Sequence, residues 1–176
     1  MNIFILNTGR CGSTSFIKAC QHIANYTAAH ESRVTTLGQE RLAYPDQHIE
    51  ADNRLSWLLG RLDLAYGDQA FYVHLVRAVE DTTASFSRRA DFGIMKAYRE
   101  GILMGGQEVQ ATNTVARDYI DTVESNIELF LRDKTRTMSF QLETAKADFS
   151  MFWDRIAAEG NLEQALAEWD IIHNAS

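Results

Sequence analysis

Asn2 to Leu6 form a short, almost wholly apolar run, and a second fills Ala70-Phe71-Tyr72-Val73-His74-Leu75-Val76. The first is too short for a helix and suits a strand buried on both faces of a sheet, and the second, rich in β-branched and aromatic residues, predicts another strand. Between and after them the spacing changes to the helical period. Phe16, Ile17, Cys20, Ile23 and Ala24 predict a first helix over 13–25, and Tyr26 to Ala29 a short second strand ending in His30-Glu31-Ser32. From Arg33 to Glu50 no period survives, and the one proline, Pro45, lies inside this stretch, which reads as a long loop. Asp52 or Asn53 can cap a helix through Leu55, Trp57, Leu58 and Leu62, with Gly67 near its end.

The second half reads as helices around one more strand. Val79, Thr83, Phe86 and Ala90 share a helical face, and 92–103 predicts another helix closed by Gly105-Gly106. Asn113 or Thr114 opens the longest helix, with Val115, Tyr119, Val123, Ile127, Phe130 and Leu131 on one stripe. Thr135 to Glu143 alternates polar with apolar and predicts a half-exposed or edge strand. Phe149, Phe152, Trp153 and Ile156 mark a helix stopped at Gly160, and Asn161 with Gln164 caps the last one. Strands alternating with long helices predict a single α/β domain over 1–176, a three-layer sandwich with a mainly parallel central sheet, P-loop-NTPase-like in outline.

The first strand runs into Thr8-Gly9-Arg10-Cys11-Gly12-Ser13-Thr14-Ser15, a loop of glycines, hydroxyls and one guanidinium that opens the first helix. Backbone N–H groups and the positive end of a helix dipole at the top of a strand bind anions. A Walker A loop would need Gly-Lys-Ser/Thr, and a dinucleotide fingerprint a third glycine. A thiol-phosphatase loop would need an arginine six residues after Cys11, where Ile17 stands. A thiol at a helix start beside Arg10 has reason to ionise early, although without a partner base Cys11 serves better as the small residue of the loop.

Charge sharpens this picture. The net charge is −7, yet residues 1–30 hold Arg10 and Lys18 and no Asp or Glu, so the rest carries −9. The balance excludes nucleic acid and anionic membrane as main partners, while the acid-free first unit suits an anionic ligand. The N-terminal apolar run is too short for a signal-peptide core or a membrane span. Two cysteines make neither a disulfide framework nor a metal spacing, so a cytoplasmic setting and no bound metal are expected.

Gly9-Arg10-Cys11-Gly12-Ser13-Thr14-Ser15 after the first strand resembles the 5′-phosphosulfate loop of the PAPS-dependent sulfotransferases. A second likeness lies in the run from Arg77 to Ser85, an Arg at a strand end and a Ser eight residues on, with Asp81 where the family often has an acid. The resemblance implies that PAPS (3′-phosphoadenosine 5′-phosphosulfate) is the co-substrate. Arg10, Cys11, Gly12, Ser13, Thr14 and Ser15 would hold its 5′ end, and Arg77 and Ser85 its 3′-phosphate. It covers the first half specifically and the second half loosely. Cytosolic members have Lys at the position of Arg10 and, at Ser15, a tryptophan that helps seat adenine, so base recognition here must come from elsewhere. Their closing C-terminal loop is not visible, which suggests a small bacterial-type member or a lid supplied by a partner subunit, a second copy included.

Sulfuryl transfer asks for positioning, charge neutralisation and a base for the acceptor proton. Arg10 is placed for the charge. Glu31, at the end of the second strand beside the first loop if those strands are neighbours, is the first choice of base. His30 should point the other way on an extended segment. His48 and Glu50, on the long loop, are the other contenders, and His74 reads as a core or sheet-face histidine. The resemblance implies a hydroxyl of a small molecule or glycan as acceptor, and 33–52 and 98–107 are expected to shape its pocket. The alternatives are a P-loop-type nucleotide or small-molecule kinase and a non-catalytic nucleotide-binding or scaffold domain.

Overall fold

A computed structural model describes residues 1–105, 111–171 and 173. The chain runs β1 (Ile3–Leu6), α1 (Ser13–Cys20), β2 (Thr27–His30), β3 (His48–Ala51), α2 (Leu59–Tyr66), β4 (Phe71–Val76), α3 (Val79–Ser87), α4 (Gly93–Ala97), α5 (Thr112–Leu131), β5 (Thr137–Gln141), α6 (Ala145–Arg155) and α7 (Leu162–Ala167). The strands form one sheet in the order β2-β3-β1-β4-β5, parallel at every pairing. This is the α/β sandwich that the alternation of strands and helices predicts.

Alternation along β1 divides the core in two. Ile3 and Ile5 face one layer, with Phe16 of α1, Phe149 and Phe152 of α6 and Ala165 of α7. Phe4 and Leu6 face the other, with Leu62 of α2, Phe86 of α3 and Tyr119 and Val123 of α5. Phe16 meets Phe140, Phe149 and Phe152 edge-on, with centroids 4.9, 5.6 and 5.1 Å away. Each such pair contributes about 0.5–1.5 kcal/mol beyond the area it buries. The start of α1 is thereby fixed against the sheet, which matters for the loop that precedes it.

The expected long loop contains a buried strand. β3 lies between β2 and β1, pairing Ala29 with Glu50 on one side and Ile3 with Ile49 on the other. Its sequence, His-Ile-Glu-Ala, has no apolar period because His48 and Glu50, both buried, satisfy one another at 3.0 Å. The second strand is therefore not a neighbour of the first, and His48 and Glu50 are sheet residues rather than loop residues.

Other boundaries shift for local reasons. Helix α1 ends at Cys20 instead of 25, because Ile23 bridges Gly160 and the Ala24 N–H donates to the Glu159 carbonyl, drawing the chain out of the helix. The side chain of Asp52 accepts from the Arg54 N–H and caps only a 3-10 turn, Asn53–Trp57, before α2 restarts at Leu59. The helix expected over 92–103 is α4 followed by a π-helical turn, Tyr98–Ile102. Gly106 and Gln107, which were expected to close it and to border the acceptor pocket, lie outside the described residues. At the last helix, Asn161 Oδ1 accepts from the backbone N–H of Gln164, as the capping pair predicts. Among the described residues no helix is long and apolar enough to cross a membrane, and no group of His, Cys, Asp or Glu is arranged to hold a metal.

Candidate active site

The loop from β1 to α1 is held from behind before any ligand is considered. Asn7 bonds its own backbone on both sides, donating to the Ile5 carbonyl and accepting from the Gly9 N–H. The Tyr119 hydroxyl, from α5, donates to the Thr8 carbonyl at 2.7 Å. Gly9, Arg10 and Gly12 all have positive φ, 91°, 62° and 87°, so the backbone coils tightly at the top of the strand. Gly12 is the N-cap of α1, in the left-handed region. A Cβ there would stand 2.6 Å from Leu142 Cδ1. With glycine at the cap, no residue of the first turn brings an acid to the positive end of the helix.

This loop lines a cleft of about 600 Å³. The cleft brings Arg10, Gly12, Ser13, Thr14 and Ser15 together with Arg77 and Ser85. Arg77 follows the last residue of β4, and Ser85 lies two turns into α3. Arg10 Nε donates to Ser85 Oγ at 3.0 Å, and Arg77 Nη1 donates to the Arg10 carbonyl at 3.3 Å. Arg77 also stands 3.6 Å from Asp81, the acid inside the run.

Arginines dominate the electrostatics of the cleft. Burial lowers the pKa of Arg10, and the charges of Arg89, Arg77 and Arg88 lower it further. Four guanidinium groups thus repel one another around a helix start, which is the condition that a multiply charged anion relieves. Arg88 lines the cleft itself, three residues beyond Ser85, about one helical turn. Sequence reading missed it, although its spacing from Ser85 was the available signal.

The opposite wall is apolar. Leu142 and Ala145 come from the end of β5 and the start of α6, with Trp169 and Ile171 beyond them. The indole of Trp169 is fixed by ring contacts with Phe140 and Phe149, centroids 5.4 and 5.8 Å away. The turn that carries it is tied by Glu168, whose carboxylate meets His22 and His173, each at 3.0 Å. Hydrogen bonding from His22 leads the causes that lower the Glu168 pKa.

The remaining predicted residues are placed differently. The Cys11 thiol is buried, within 3.2 Å of Thr8 Oγ1 and of the Gly9 carbonyl. Burial pushes it up to about 11, against the partial relief given by Thr8, so it is not the early-ionising thiol that its position beside Arg10 implies. Cys11, expected to help hold the 5′ end, is not among the residues that line the cleft. His48 stands at the amino end of β3, the end of a parallel sheet away from the loop, with Thr27 Oγ1 at 2.8 Å and Glu50 on its other side. That position removes it from the candidates for contact with the cleft.

At the end of β2 the expected directions are exchanged. His30 Nε2 lies 2.9 Å from Ser13 Oγ, in the loop itself. Glu31 adopts a left-handed conformation, φ 52°, and its carboxylate pairs with Arg54 at 2.9 Å. Alternation along an extended strand predicts that His30 and Glu31 point oppositely, and they do. The histidine, not the glutamate, is bonded to the loop, because β2 is separated from β1 by β3 and reaches the loop over α1.

No family model matches this sequence. No curated protein matches it either. Among solved structures it is similar to a sulfotransferase domain from the curacin biosynthetic pathway, with a TM-score of 0.64 and 16% identity, covering 94% of this chain and 76% of that one. The likeness is one of fold: the chain has the architecture of a sulfotransferase domain.

Proposed function

We propose that the protein is a sulfotransferase that takes its sulfuryl group from PAPS and passes it to a hydroxyl of a small molecule or glycan. One observation carries this reading. The glycine-rich loop and the Arg77–Ser85 pair, 75 residues apart at Arg10 and Ser85, meet in a single cleft lined by Arg10, Arg77 and Arg88, with the charge of Arg89 close enough to act on Arg10. The ligand implied has anionic groups at two places and an apolar body between or beside them, as does a 3′,5′-bisphosphorylated nucleoside.

PAPS supplies an activated sulfuryl group whose leaving portion is a phosphate. Ser13, Thr14 and Ser15 at the start of α1 would bind the 5′ end, with Arg10 taking up charge as it grows on the leaving oxygen. Arg77, Ser85 and Arg88 would hold the 3′-phosphate. Trp169 and Leu142 offer the apolar wall for the adenine, in place of the tryptophan that the loop lacks. His30, bonded to Ser13, would accept the acceptor's proton, while Glu31 is engaged by Arg54.

Thermal-shift measurements with PAP, ATP and sulfate, with and without Mg²⁺, test the reading. A shift selective for PAP and independent of Mg²⁺ is expected, followed by transfer of label from PAPS in an acceptor screen. A shift seen only with ATP and Mg²⁺ would replace it with a kinase, and no nucleotide effect would leave a scaffold.

A further inference from the structure

Glu50 is a carboxylate with no exposure at all, in the interior of a five-stranded sheet. A charge so placed is costly unless its oxygens are satisfied, so the partners it keeps indicate what it holds. Oε1 accepts from the Ser32 N–H at 2.7 Å, and Oε2 from Ser32 Oγ at 2.7 Å, with His48 Nε2 at 3.0 Å from the same oxygen. His48 Nδ1 in turn meets Thr27 Oγ1 at 2.8 Å. Thr27 opens β2 and Ser32 lies just past its end, so two residues of β3 grip both ends of the neighbouring strand.

That strand needs a grip. β2 has four residues and sits at the sheet edge, paired on one side alone. Its last ladder-like bond is from the Glu31 N–H to the Ala51 carbonyl, and Glu31 then turns with φ 52°, a conformation that a side chain rarely adopts unless held. The two Ser32 bonds follow immediately. His30, which reaches Ser13 Oγ, is the last paired residue of β2 and directly precedes this anchored turn.

We infer that Glu50 is a positioning residue: through Ser32 it fixes the turn after β2 and so sets the distance between the His30 imidazole and the loop. The inference rests on His30 being the base of the proposed transfer. Ser32 is exposed, so substitution there removes a Glu50 bond without opening the core.

Two readouts test it. Ser32→Ala is expected to lower kcat by roughly ten- to a hundredfold, the scale of a misplaced catalytic group, with PAP affinity unchanged. Ser32→Thr keeps both donors and should restore turnover. The second readout needs no turnover: ¹⁵N spectra of the imidazole nitrogens, with the His30 signal identified by its loss in His30→Gln. That signal should move in Ser32→Ala and in Glu50→Gln and stay in Ser32→Thr. Unmoved His30 resonances in Ser32→Ala with wild-type kcat would overturn the inference, as would a parallel loss of kcat, PAP affinity and melting temperature. If the wild type transfers no sulfuryl group, the proposed function fails, whereas the imidazole spectra still decide whether Glu50 positions His30.

Discussion

Arg10 and Ser85 are hydrogen-bonded at 3.0 Å, Nε to Oγ, across 75 residues of chain. The contact ties the loop after β1 to the second turn of α3, so the two stretches line one cleft. The protein's own bonds organise the site: Arg77 holds the Arg10 carbonyl while Ser85 holds its side chain. A ligand then meets fixed donors and incurs little ordering cost.

The first prediction concerns the 3′-phosphate. Charge-assisted hydrogen bonds contribute about 1.5–3 kcal/mol each, so Arg77→Ala should weaken PAP binding by roughly ten- to a hundredfold. Adenosine 5′-phosphosulfate, which lacks that phosphate, should bind nearly as before. Equal losses in calorimetry for both ligands would refute the assignment.

Arg88 should behave like Arg77. Arg88→Ala is expected to lower PAP affinity about tenfold, and the affinity of the variant should fall less steeply with added salt, since one cation has gone. Titration at two ionic strengths checks both points. An unchanged salt dependence would make Arg88 a bystander.

His30 and Glu31 can be separated directly. His30→Gln should cut kcat by ~10²–10⁴-fold with PAP affinity intact, as for loss of a general base. Glu31→Gln, which only weakens a half-exposed pair with Arg54, should cost far less. The reverse order in single-turnover assays would return the base to Glu31.

Gly12→Ala should damage both stability and binding. The new Cβ would meet Leu142 Cδ1 at 2.6 Å in a backbone with φ 87°. Non-glycine residues in this region cost on the order of 1–3 kcal/mol, so the urea midpoint should fall and the PAP-induced shift should shrink. A midpoint equal to that of the wild type would contradict the tight approach of the loop to Leu142.

The Cys11 thiol gives a pH prediction. Its pKa rises from 9.0 to about 11 on folding, so the folded state keeps a proton that the unfolded chain releases. Stability from this group is complete below pH 9.0 and is lost as the pH climbs toward about 11. Iodoacetamide at pH 8 should therefore leave Cys11 unmodified in the native protein and label it once unfolded. Rapid native labelling at Cys11 would show that the thiol is neither buried nor suppressed.

What the sequence determined by itself was local. The apolar run of β1, the small polar loop, the start of α1 and the spacing from Arg77 to Ser85 all lie within one strand-to-helix unit each. There the chain's own period and covalent geometry place residues relative to one another. The alternation of strands and helices then carried the layer architecture. Tertiary structure alone decided the rest. β3 was hidden because its polar residues are satisfied by each other and by Ser32, a pairing that no hydrophobic period records. Its insertion between β2 and β1 moved Glu31 away from the loop, and the left-handed turn at Glu31 turned its carboxylate toward Arg54. Cys11 faces inward because the loop's positive φ angles coil it onto Thr8, and Trp169 reaches the cleft because α7 packs on α1. These outcomes depend on which distant surfaces bury each other, and strand order and side-chain direction follow from that packing, not from the spacing of residues along the chain.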